Sequence, residues 1–357
     1  MSRFLSSRFE SLKAYTPGEQ PRDQKYIKLN TNESPYPPSN EVLKRVSEAE
    51  VSKLNLYPDP TGKVLKKKIA DLYEVEPENI FLSNGSDDIL NFAFMAFCDK
   101  EHGVAFPDIS YGFYPVYAKL HGIPSMEIPL KSDFSIDIND YKNTGMMTVL
   151  ANPNAPTGMT ISLEAIEDLL LTNKDQVFLV DEAYVDFGGE DAAKLTKKYE
   201  NLLVVQTFSK SRSLAGGRLG FAIASKELIE DLEKIKFSTN PYCINRLTMI
   251  AGEASIDSND YYMENAKKII DTREHLVLDL KENGFHVLDS KANFIFVEYQ
   301  GIPGKVLYEK LKERGVLVRY FSKERIDNFI RVSIGTKEDM KVFETTLLEI
   351  VKEEKGE

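Results

Sequence analysis

The chain has few cysteines and no surplus of basic residues, and each shortage excludes a class of protein. Its two cysteines, Cys98 and Cys243, lie far apart in sequence, whereas small secreted scaffolds held by disulfides carry many more. Lys and Arg (45) are outnumbered by Asp and Glu (56), and the net charge of −11 opposes a non-specific hold on nucleic-acid phosphates. We therefore expect a reducing, cytoplasmic location and no nucleic-acid partner.

Long apolar runs and metal-ligand spacings are also missing. No stretch of about 18 or more apolar residues is present to span a bilayer, and residues 1–13 carry charges where a signal peptide needs its apolar region. The four histidines never stand at the spacing of metal ligands, and the glycine-rich loops of the usual nucleotide-binding folds are absent. These absences predict no membrane partner, no leader and no metal site.

What is present favours a folded protein of two domains. At roughly 100 to 200 residues per domain, 357 residues suffice for two, and 42% hydrophobic residues can fill a core in each. The middle of the chain alternates short apolar runs with amphipathic stretches, which is typical of a mostly parallel sheet between helices. The predicted strands are 80–82, 104–106, 126–128, 148–151, 177–180, 202–206 and 221–224.

The pattern changes after residue 225 to that of an α+β domain. The predicted helices are 261–283, 305–314 and one from 337, and the predicted strands are 286–288, 294–299, 316–320 and 329–334. The first 45 residues are rich in Pro, Asn and Ser and predict an extended arm. The predicted α/β fold therefore has an arm with part of the small domain (1–45), a large domain with a mostly parallel seven-stranded sheet between helices (46–250) and a smaller α+β domain (251–357).

Polar residues follow the predicted strands where ligands bind in such sheets, beyond the carboxyl ends of the strands. Strand 80–82 is followed by Asn84-Gly85-Ser86-Asp87 and an apolar helix, whose free N–H groups attract a phosphate. Strand 177–180 is followed by Asp181, a carboxylate that is costly to ionise when buried unless a cation meets it. A protonated pyridine nitrogen would be such a cation.

Two more groups complete a set. Strand 202–206 leads into Thr207-Phe208-Ser209-Lys210, which places an amine at the mouth of the sheet, where it can serve as a nucleophile. Arg218 follows within Gly216-Gly217-Arg218-Leu219-Gly220. A guanidinium flanked by glycines is accessible and can donate two hydrogen bonds to one phosphate. Together with the Tyr184 phenol, these residues match the needs of pyridoxal phosphate.

In order and spacing, these motifs resemble the fold type I, aspartate-aminotransferase-like pyridoxal-phosphate enzymes. Three further stretches narrow the resemblance to the histidinol-phosphate aminotransferases: Leu-Asn-Thr-Asn-Glu-Ser-Pro-Tyr at 29–36, Tyr-Pro-Asp-Pro at 57–60 and Asn-Gly-Ser-Asp at 84–87. The resemblance covers nearly the whole chain. It implies pyridoxal 5′-phosphate as cofactor and transamination between histidinol phosphate and 2-oxoglutarate, which gives imidazole-acetol phosphate and glutamate in histidine biosynthesis.

The resemblance also implies roles for individual residues. Lys210 matches the lysine that carries the cofactor, Asp181 the partner of its ring nitrogen and Tyr184 a donor to its ring oxygen. The other cofactor-binding matches, at the phosphate and on the ring face, are Gly85, Ser86, Asp87, Thr207, Ser209, Arg218 and Tyr111. Tyr57 matches a tyrosine that reaches the cofactor phosphate of the neighbouring subunit, which implies a homodimer. The substrate-binding matches are Tyr15, Arg319 and Arg331.

One position departs from the pattern of the family. The usual Asn-Pro-Thr-Gly is Ala155-Pro156-Thr157-Gly158 here, so the amide expected on the ring oxygen is absent at position 155. Either Asn154 supplies an amide from one residue earlier, or Tyr184 holds the ring oxygen alone.

The sequence leaves other functions open. One is a threonine-phosphate decarboxylase, whose substrate also carries a phosphate, although the 84–87 loop favours the transaminase. Another is an aromatic amino-acid aminotransferase. A third is a binding or regulatory protein with an aminotransferase body and no turnover, against which the intact Lys210, Asp181 and Arg218 argue.

Overall fold

The strands and helices follow the predicted alternation along the chain. The computed structural model describes Phe9 and residues 11–356. Its strands are β1 (Ile27–Lys28), β2 (Ile80–Ser83), β3 (Val104–Pro107), β4 (Ser125–Ile128), β5 (Met147–Ala151), β6 (Phe178–Asp181), β7 (Leu202–Thr207), β8 (Gly220–Ala224), β9 (Phe285–Val287), β10 (Phe294–Tyr299), β11 (Val316–Leu317), β12 (Arg319–Tyr320) and β13 (Ile330–Ser333). Its α-helices are α1 (Asn40–Arg45), α2 (Glu48–Val51), α3 (Lys63–Tyr73), α4 (Ser86–Phe97), α5 (Tyr114–His121), α6 (Leu163–Thr172), α7 (Lys226–Thr239), α8 (Arg246–Asp257), α9 (Asn259–Glu282), α10 (Gly304–Glu313) and α11 (Lys337–Lys355).

The larger sheet has the strand order β2-β8-β7-β6-β5-β3-β4. The five strands β3 to β7 all run parallel to one another. Strand β8 is antiparallel to both of its neighbours, β7 and β2. Most strands are buried along their whole length, as expected when helices cover both faces of a sheet. The predicted seven-stranded, mostly parallel α/β architecture is confirmed, and each strand begins and ends within one residue of its predicted limits.

The remaining strands form a smaller, antiparallel sheet of order β12-β13-β10-β9 and a parallel pair, β1 with β11. Here the predicted strand 316–320 is divided at Val318, because β11 pairs with the N-terminal β1 while β12 pairs with β13. The long helix α9 ends just before Gly284, whose φ of +83° is the left-handed conformation of a helix-ending glycine.

The larger sheet has an apolar core on each face, and a third large core lies at the smaller sheet. Ala251 and Ala254 of α8 pack in a core with β7 and β8 residues such as Val204 and Ile223, so the predicted limit at 250/251 falls within a helix of the larger core. Leu29 packs instead with residues of β10, β13 and α11. None of the helices among the described residues combines the length and apolar character needed to cross a bilayer.

The register of the larger sheet brings the predicted motifs to one edge. Asp181 at the end of β6 lies opposite Ala151 on one side and Val205 on the other. Gly220, the first residue of the antiparallel β8, lies between Thr207 and Ser83. The segments that follow β2, β5, β6 and β7 therefore begin side by side.

Candidate active site

The N-terminus of α4 and the start of β8 form a close-packed cradle. Gly85 has φ +88°, and a Cβ there would lie 2.6 Å from Nη2 of Arg218. A Cβ on Gly220 would lie 2.5 Å from the Ser86 backbone nitrogen. Both positions therefore require glycine, and the first N–H groups of the 12-residue helix are left facing Arg218, an arrangement suited to an anion.

Asp87 links this cradle to an aromatic side chain. Its carboxylate accepts hydrogen bonds from Nη2 of Arg218 at 2.8 Å and from the Tyr111 hydroxyl at 2.7 Å. Burial, reinforced by the charge of Asp87, raises the pKa of Tyr111 above its usual range, so the phenol stays protonated. Tyr111, Ser86, Thr207 and Ser209 line a cavity of about 90 Å³ with Lys210, Asp181 and Arg218.

Asp181 lies at the end of this smaller cavity and is 5% exposed. It accepts hydrogen bonds from the Tyr114 hydroxyl at 2.9 Å and from the Ala183 N–H at 3.2 Å. Burial raises its pKa to about 6, although the Tyr114 hydrogen bond opposes the shift. Among the described residues it has no ion-pair partner, so a cation entering the cavity would meet an uncompensated acid.

Lys210 and Tyr184 lie on the opposite side of the smaller cavity. Nζ of Lys210 donates to the Thr31 carbonyl oxygen at 3.2 Å and lies 5.6 Å from the centre of the Tyr184 ring. The Tyr184 oxygen accepts a hydrogen bond from Nδ2 of Asn32 at 3.0 Å. The N-terminal segment that contains Thr31 and Asn32 thus reaches both side chains.

Position 155 presents no hydrogen-bonding side chain to the cavities. Ala155 lines both the smaller and the larger one. The neighbouring Asn154 is 2% exposed and uses its amide elsewhere: Nδ2 donates to the Ile109 carbonyl at 3.0 Å and to Oγ1 of Thr157 at 3.1 Å, and Oδ1 accepts from the Ser110 hydroxyl at 2.7 Å. The structure does not bring Asn154 to the cavity wall.

A larger cleft of about 490 Å³ opens above the smaller cavity and is rich in cations. The guanidinium of Arg331 lies between the rings of Phe294 and Phe321, at 5.3 and 5.5 Å from their centres. Its Nη2 donates to the Asn30 carbonyl at 3.1 Å, while its buried Nε has no partner among the described residues. Burial lowers the pKa of Arg331, as expected for a cation that is partly removed from water and has no anion beside it in the described part of the chain.

The N-terminal arm closes one side of this cleft. Arg319 donates from Nη1 to the Pro17 carbonyl at 3.2 Å and from Nη2 to the Thr16 carbonyl at 3.1 Å. Tyr15 stacks on Phe113 with ring centres 4.1 Å apart, and burial raises the pKa of its phenol. Arg319 and Tyr15, predicted from opposite ends of the chain, therefore meet at the same cleft.

Tyr57 is the predicted site residue that lies apart from the others. It is 78% exposed and stacks on Tyr242 with ring centres 4.5 Å apart. It lines neither cavity of its own chain. Leu54 and Leu56 beside it are also more than half exposed, so this part of the surface is apolar.

Three residues at the site were not singled out from the sequence. Tyr114 bonds Asp181, Asn32 bonds Tyr184, and Lys323 lines the larger cleft. A signal exists for Tyr114, which follows Tyr111 by three residues and so starts a helix beside it. Asn32 belongs to the 29–36 motif, but the motif carried no role for it, and Lys323 belongs to no motif; both are far in sequence from the strands they approach.

Comparison with known proteins agrees with this arrangement. Residues 24–347 match the family of class I and II aminotransferases. The chain is 54% identical over 353 residues to the histidinol-phosphate aminotransferase of Brachyspira hyodysenteriae, covering 99% of this chain and 100% of that protein. It is 49% identical over 351 residues to that of Clostridium botulinum (strain 657), covering 98% and 99%. The crystal structure of the Sinorhizobium meliloti histidinol-phosphate aminotransferase, in complex with pyridoxal 5′-phosphate, shares the fold with a TM-score of 0.87 at 22% identity and 99% and 100% coverage.

Proposed function

This chain belongs to the class I and II aminotransferases and, within them, to the histidinol-phosphate aminotransferases, and we propose that the two connected cavities are its active site. The reaction is the transfer of an amino group from L-histidinol phosphate to 2-oxoglutarate, which gives imidazole-acetol phosphate and L-glutamate. One observation, a complementary pair of unpaired charges, carries the site assignment. A buried acid without a cation lies in the smaller cavity, and a half-buried guanidinium, whose buried Nε has no partner among the described residues, lies in the adjoining cleft.

Pyridoxal 5′-phosphate is the cofactor, and its charges fit the smaller cavity. The N–H groups of α4, Arg218, Ser86 and Ser209 suit its phosphate, and Gly85 leaves the room that a Cβ would fill. The unpaired carboxylate of Asp181 suits its protonated ring nitrogen, and the Tyr184 hydroxyl suits its ring oxygen. Tyr111, held by Asp87, would lie against the face of its ring.

When bound, the cofactor supplies a ring into which the negative charge left at the substrate Cα can spread. Lys210 would hold the cofactor through Nζ, and its amine, when free, would carry the proton that leaves the substrate Cα. Asp181 would keep the ring nitrogen protonated. Tyr114 and the Ala183 N–H hold the Asp181 carboxylate in position for this pairing.

The cleft must accept two different anions in turn. Glutamate has an α-carboxylate, whereas histidinol phosphate has a phosphate and no carboxylate. Arg331, half-buried and with an unpartnered Nε among the described residues, would hold the carboxylate, and Arg319 at the arm would bind the phosphate. Tyr15 would close over the substrate from the arm side.

The test is a steady-state assay of the purified protein with histidinol phosphate and 2-oxoglutarate. We expect formation of glutamate and imidazole-acetol phosphate, with no release of carbon dioxide. Release of carbon dioxide from threonine phosphate would indicate the decarboxylase instead. Turnover with phenylalanine equal to that with histidinol phosphate would indicate an aromatic aminotransferase, and a colourless protein that binds no pyridoxal phosphate would indicate a protein without turnover.

We propose further that the active unit is a homodimer in which Tyr57 of the partner subunit completes the phosphate site. The support is that Tyr57 is exposed on an apolar surface with Leu54, Leu56 and Tyr242, and apolar patches of this kind mark contacts between proteins. Inactive Lys210→Ala and Tyr57→Ala subunits, mixed and allowed to exchange, should recover activity because some hybrid dimers carry both changes in one site and leave the other intact. No recovery after demonstrated exchange would contradict the shared site.

A cytoplasmic location is the remaining part of the proposal. Both cysteines are free thiols, and burial raises the pKa of Cys98 to about 12, so this thiol is unreactive. A chain with unpaired thiols suits a reducing compartment. Fractionation of cells, followed by detection of the protein with an antibody, tests the location.

A further inference from the structure

We propose that Asn32 is a positioning residue for the Tyr184 hydroxyl and, through it, controls how strongly the protein donates to the cofactor ring oxygen. The inference rests on the proposed function, in which Tyr184 faces that oxygen. It concerns a residue that sequence reasoning passed over and that makes no bond to the cofactor lysine. The argument starts from how Asn32 itself is held.

Asn32 is fixed on every side. It is 1% exposed and has φ +55°, a left-handed conformation that asparagine tolerates better than most residues. Its backbone N–H donates to Oγ of Ser333 at 2.9 Å, and its Oδ1 accepts from the same hydroxyl at 2.8 Å. Its carbonyl oxygen accepts from Nδ2 of Asn293 at 3.1 Å. These bonds leave Nδ2 pointing in one direction, toward Tyr184.

The bond from Asn32 settles the role of the Tyr184 hydroxyl. Because Nδ2 of Asn32 donates to the phenol oxygen at 3.0 Å, the phenol accepts here and its own hydrogen must point elsewhere. Among the described residues the structure gives that hydrogen no acceptor, and the Tyr184 ring lines both cavities. A hydroxyl that accepts one hydrogen bond also donates more strongly. Asn32 therefore both aims and strengthens the donor that faces the cofactor.

This bond has unusual weight in this chain because position 155 is alanine. Ala155 has no amide, and Asn154 spends its amide on Ile109, Thr157 and Ser110. Tyr184 is then left as the side-chain donor that the described residues offer to the ring oxygen. If the Tyr184 hydroxyl is displaced, no second side-chain donor among the described residues can replace its hydrogen bond to the ring oxygen.

The charged groups facing Tyr184 do not change when Asn32 is replaced. Nζ of Lys210 lies 5.6 Å from the Tyr184 ring, and Arg331 and the phenol of Tyr15 are close enough to interact electrostatically with Tyr184. Asn32 is uncharged. An effect of its removal on the bound cofactor therefore reports the hydrogen bond rather than a changed field.

The experiment is a pH titration of the visible absorbance of the bound cofactor. Asn32→Gly removes the amide without straining a left-handed backbone. A donor at the ring oxygen disfavours the proton shared between that oxygen and the Lys210 nitrogen, so weakening the donor should raise the midpoint of the absorbance change. We expect a rise of about half to one pH unit, the size of one hydrogen bond. Asn173→Ala is the matched control, since Asn173 is also buried but its Nδ2 donates to the Tyr141 carbonyl, away from both cavities, and its midpoint should stay at that of the parent.

Two further variants separate positioning from general loosening. In a Tyr184→Phe background, Asn32→Gly should add no shift, because the hydroxyl through which it acts is gone. Ala155→Asn, which returns an amide to the ring oxygen, should shrink the shift caused by Asn32→Gly. Should Asn32→Gly fail to fold, as judged by thermal unfolding of the cofactor-free protein, Asn32→Ala also removes the amide and adds no charge. It should raise the midpoint as well.

An unchanged midpoint in Asn32→Gly, or an equal shift when Tyr184 is phenylalanine, would overturn the inference. Failure of the cofactor-site assignment on which the inference rests looks different: the parent protein would then show no visible absorbance with pyridoxal phosphate at all. A different reaction at the same cofactor would appear in the product assay and leave this titration unaffected.

Discussion

The two halves of the active site are held in different ways. The cofactor half is built on strand ends of one sheet, where Asp181 and Thr207 are fixed by register and Gly85 and Gly220 by close contact of backbones. The substrate half is assembled from the smaller sheet and the arm, and its cations are held by backbone carbonyls: Arg319 by Thr16 and Pro17, and Arg331 by Asn30.

The difference separates the residues that would carry out the reaction from those that would select the substrate. A residue fixed by sheet register cannot move without disturbing a buried core, which suits groups that must keep their geometry through the reaction. A guanidinium held by carbonyls of a surface arm can be replaced or shifted at small cost to the fold. We therefore expect changes in the first half to abolish the reaction and changes in the second to alter which substrate is used.

The severest test of the first half is Lys210→Ala. Without its Nζ, no group carries the Cα proton, and turnover should fall by at least about 10²- to 10⁴-fold in steady-state assays. Lys198→Ala is the control, since Lys198 lies on the surface and pairs with Glu167. Turnover by Lys210→Ala without an added amine would contradict the assignment.

The next largest effect is expected at Arg331. Arg331→Ala removes a half-buried guanidinium whose Nε has no partner among the described residues, and kcat/KM for glutamate should fall by about 100-fold or more. The absorbance of the bound cofactor should be kept, because Arg331 lies in the cleft and not in the smaller cavity. Loss of the cofactor from this variant would mean that the two halves are not independent.

Arg319→Ala should divide the two substrates. Removing a charge-assisted contact to the phosphate should lower kcat/KM for histidinol phosphate by about ten- to a hundredfold and that for glutamate by less. Both values come from measuring the two half-reactions separately. Equal losses would show that Arg319 only supports the arm.

A smaller, pH-dependent effect is expected at Asp181. Its carboxyl in the cofactor-free protein has its pKa raised to about 6, so below that pH a proton must leave before the carboxylate can pair with the ring nitrogen. Cofactor affinity should therefore rise with pH through about 6. The cofactor phosphate titrates in the same range. We expect Asp181→Asn to bind more weakly and to lose part of this pH dependence, measured as the difference between the two proteins; identical pH profiles would argue against the carboxyl.

The smallest effect concerns stability behind the cofactor half. Glu182 is 1% exposed, accepts from the Ala192 N–H and from Gln206, and burial raises its pKa well above its usual range. The folded protein thus binds a proton that the unfolded chain releases, so stability falls as pH rises above about 4.3, the pKa of an unfolded Glu. Glu182→Gln, neutral at every pH, should show a smaller fall in melting temperature between pH 5 and 8. A fall equal to that of the parent would mean that Glu182 does not bind this proton.

The sequence predicted the larger sheet well because its strands are buried on both faces and read as continuous apolar runs. The two-residue β1 has no such run, since its pairing with β11 depends on residues almost 300 positions away. The same pairing explains why the predicted strand 316–320 divides. Long-range pairing of short strands leaves no local pattern.

The site follows the same rule. Asp181, Lys210 and Arg218 stand next to strands, and all three line one cavity. Asn32 reaches Tyr184 across 152 positions of sequence and was not anticipated. Tyr57 is exposed and lines neither cavity of its own chain, and its exposure is the ground for the proposed homodimer. The roles assigned to these residues stay predictions until the variants are measured.

The contact between Arg319 and the arm has a consequence for thermodynamic coupling. A guanidinium has five N–H donors, and the arm carbonyls of Thr16 and Pro17 use two of them, so three remain for a phosphate. Arm and phosphate then share one cation without excluding each other. Any factor by which the docked arm raises the affinity for phosphate is, by reciprocity, the factor by which bound phosphate favours docking of the arm. Bound substrate should therefore increase the protection of the arm around Thr16 and Pro17 against proteolysis, and that of the Thr16 amide hydrogen against exchange.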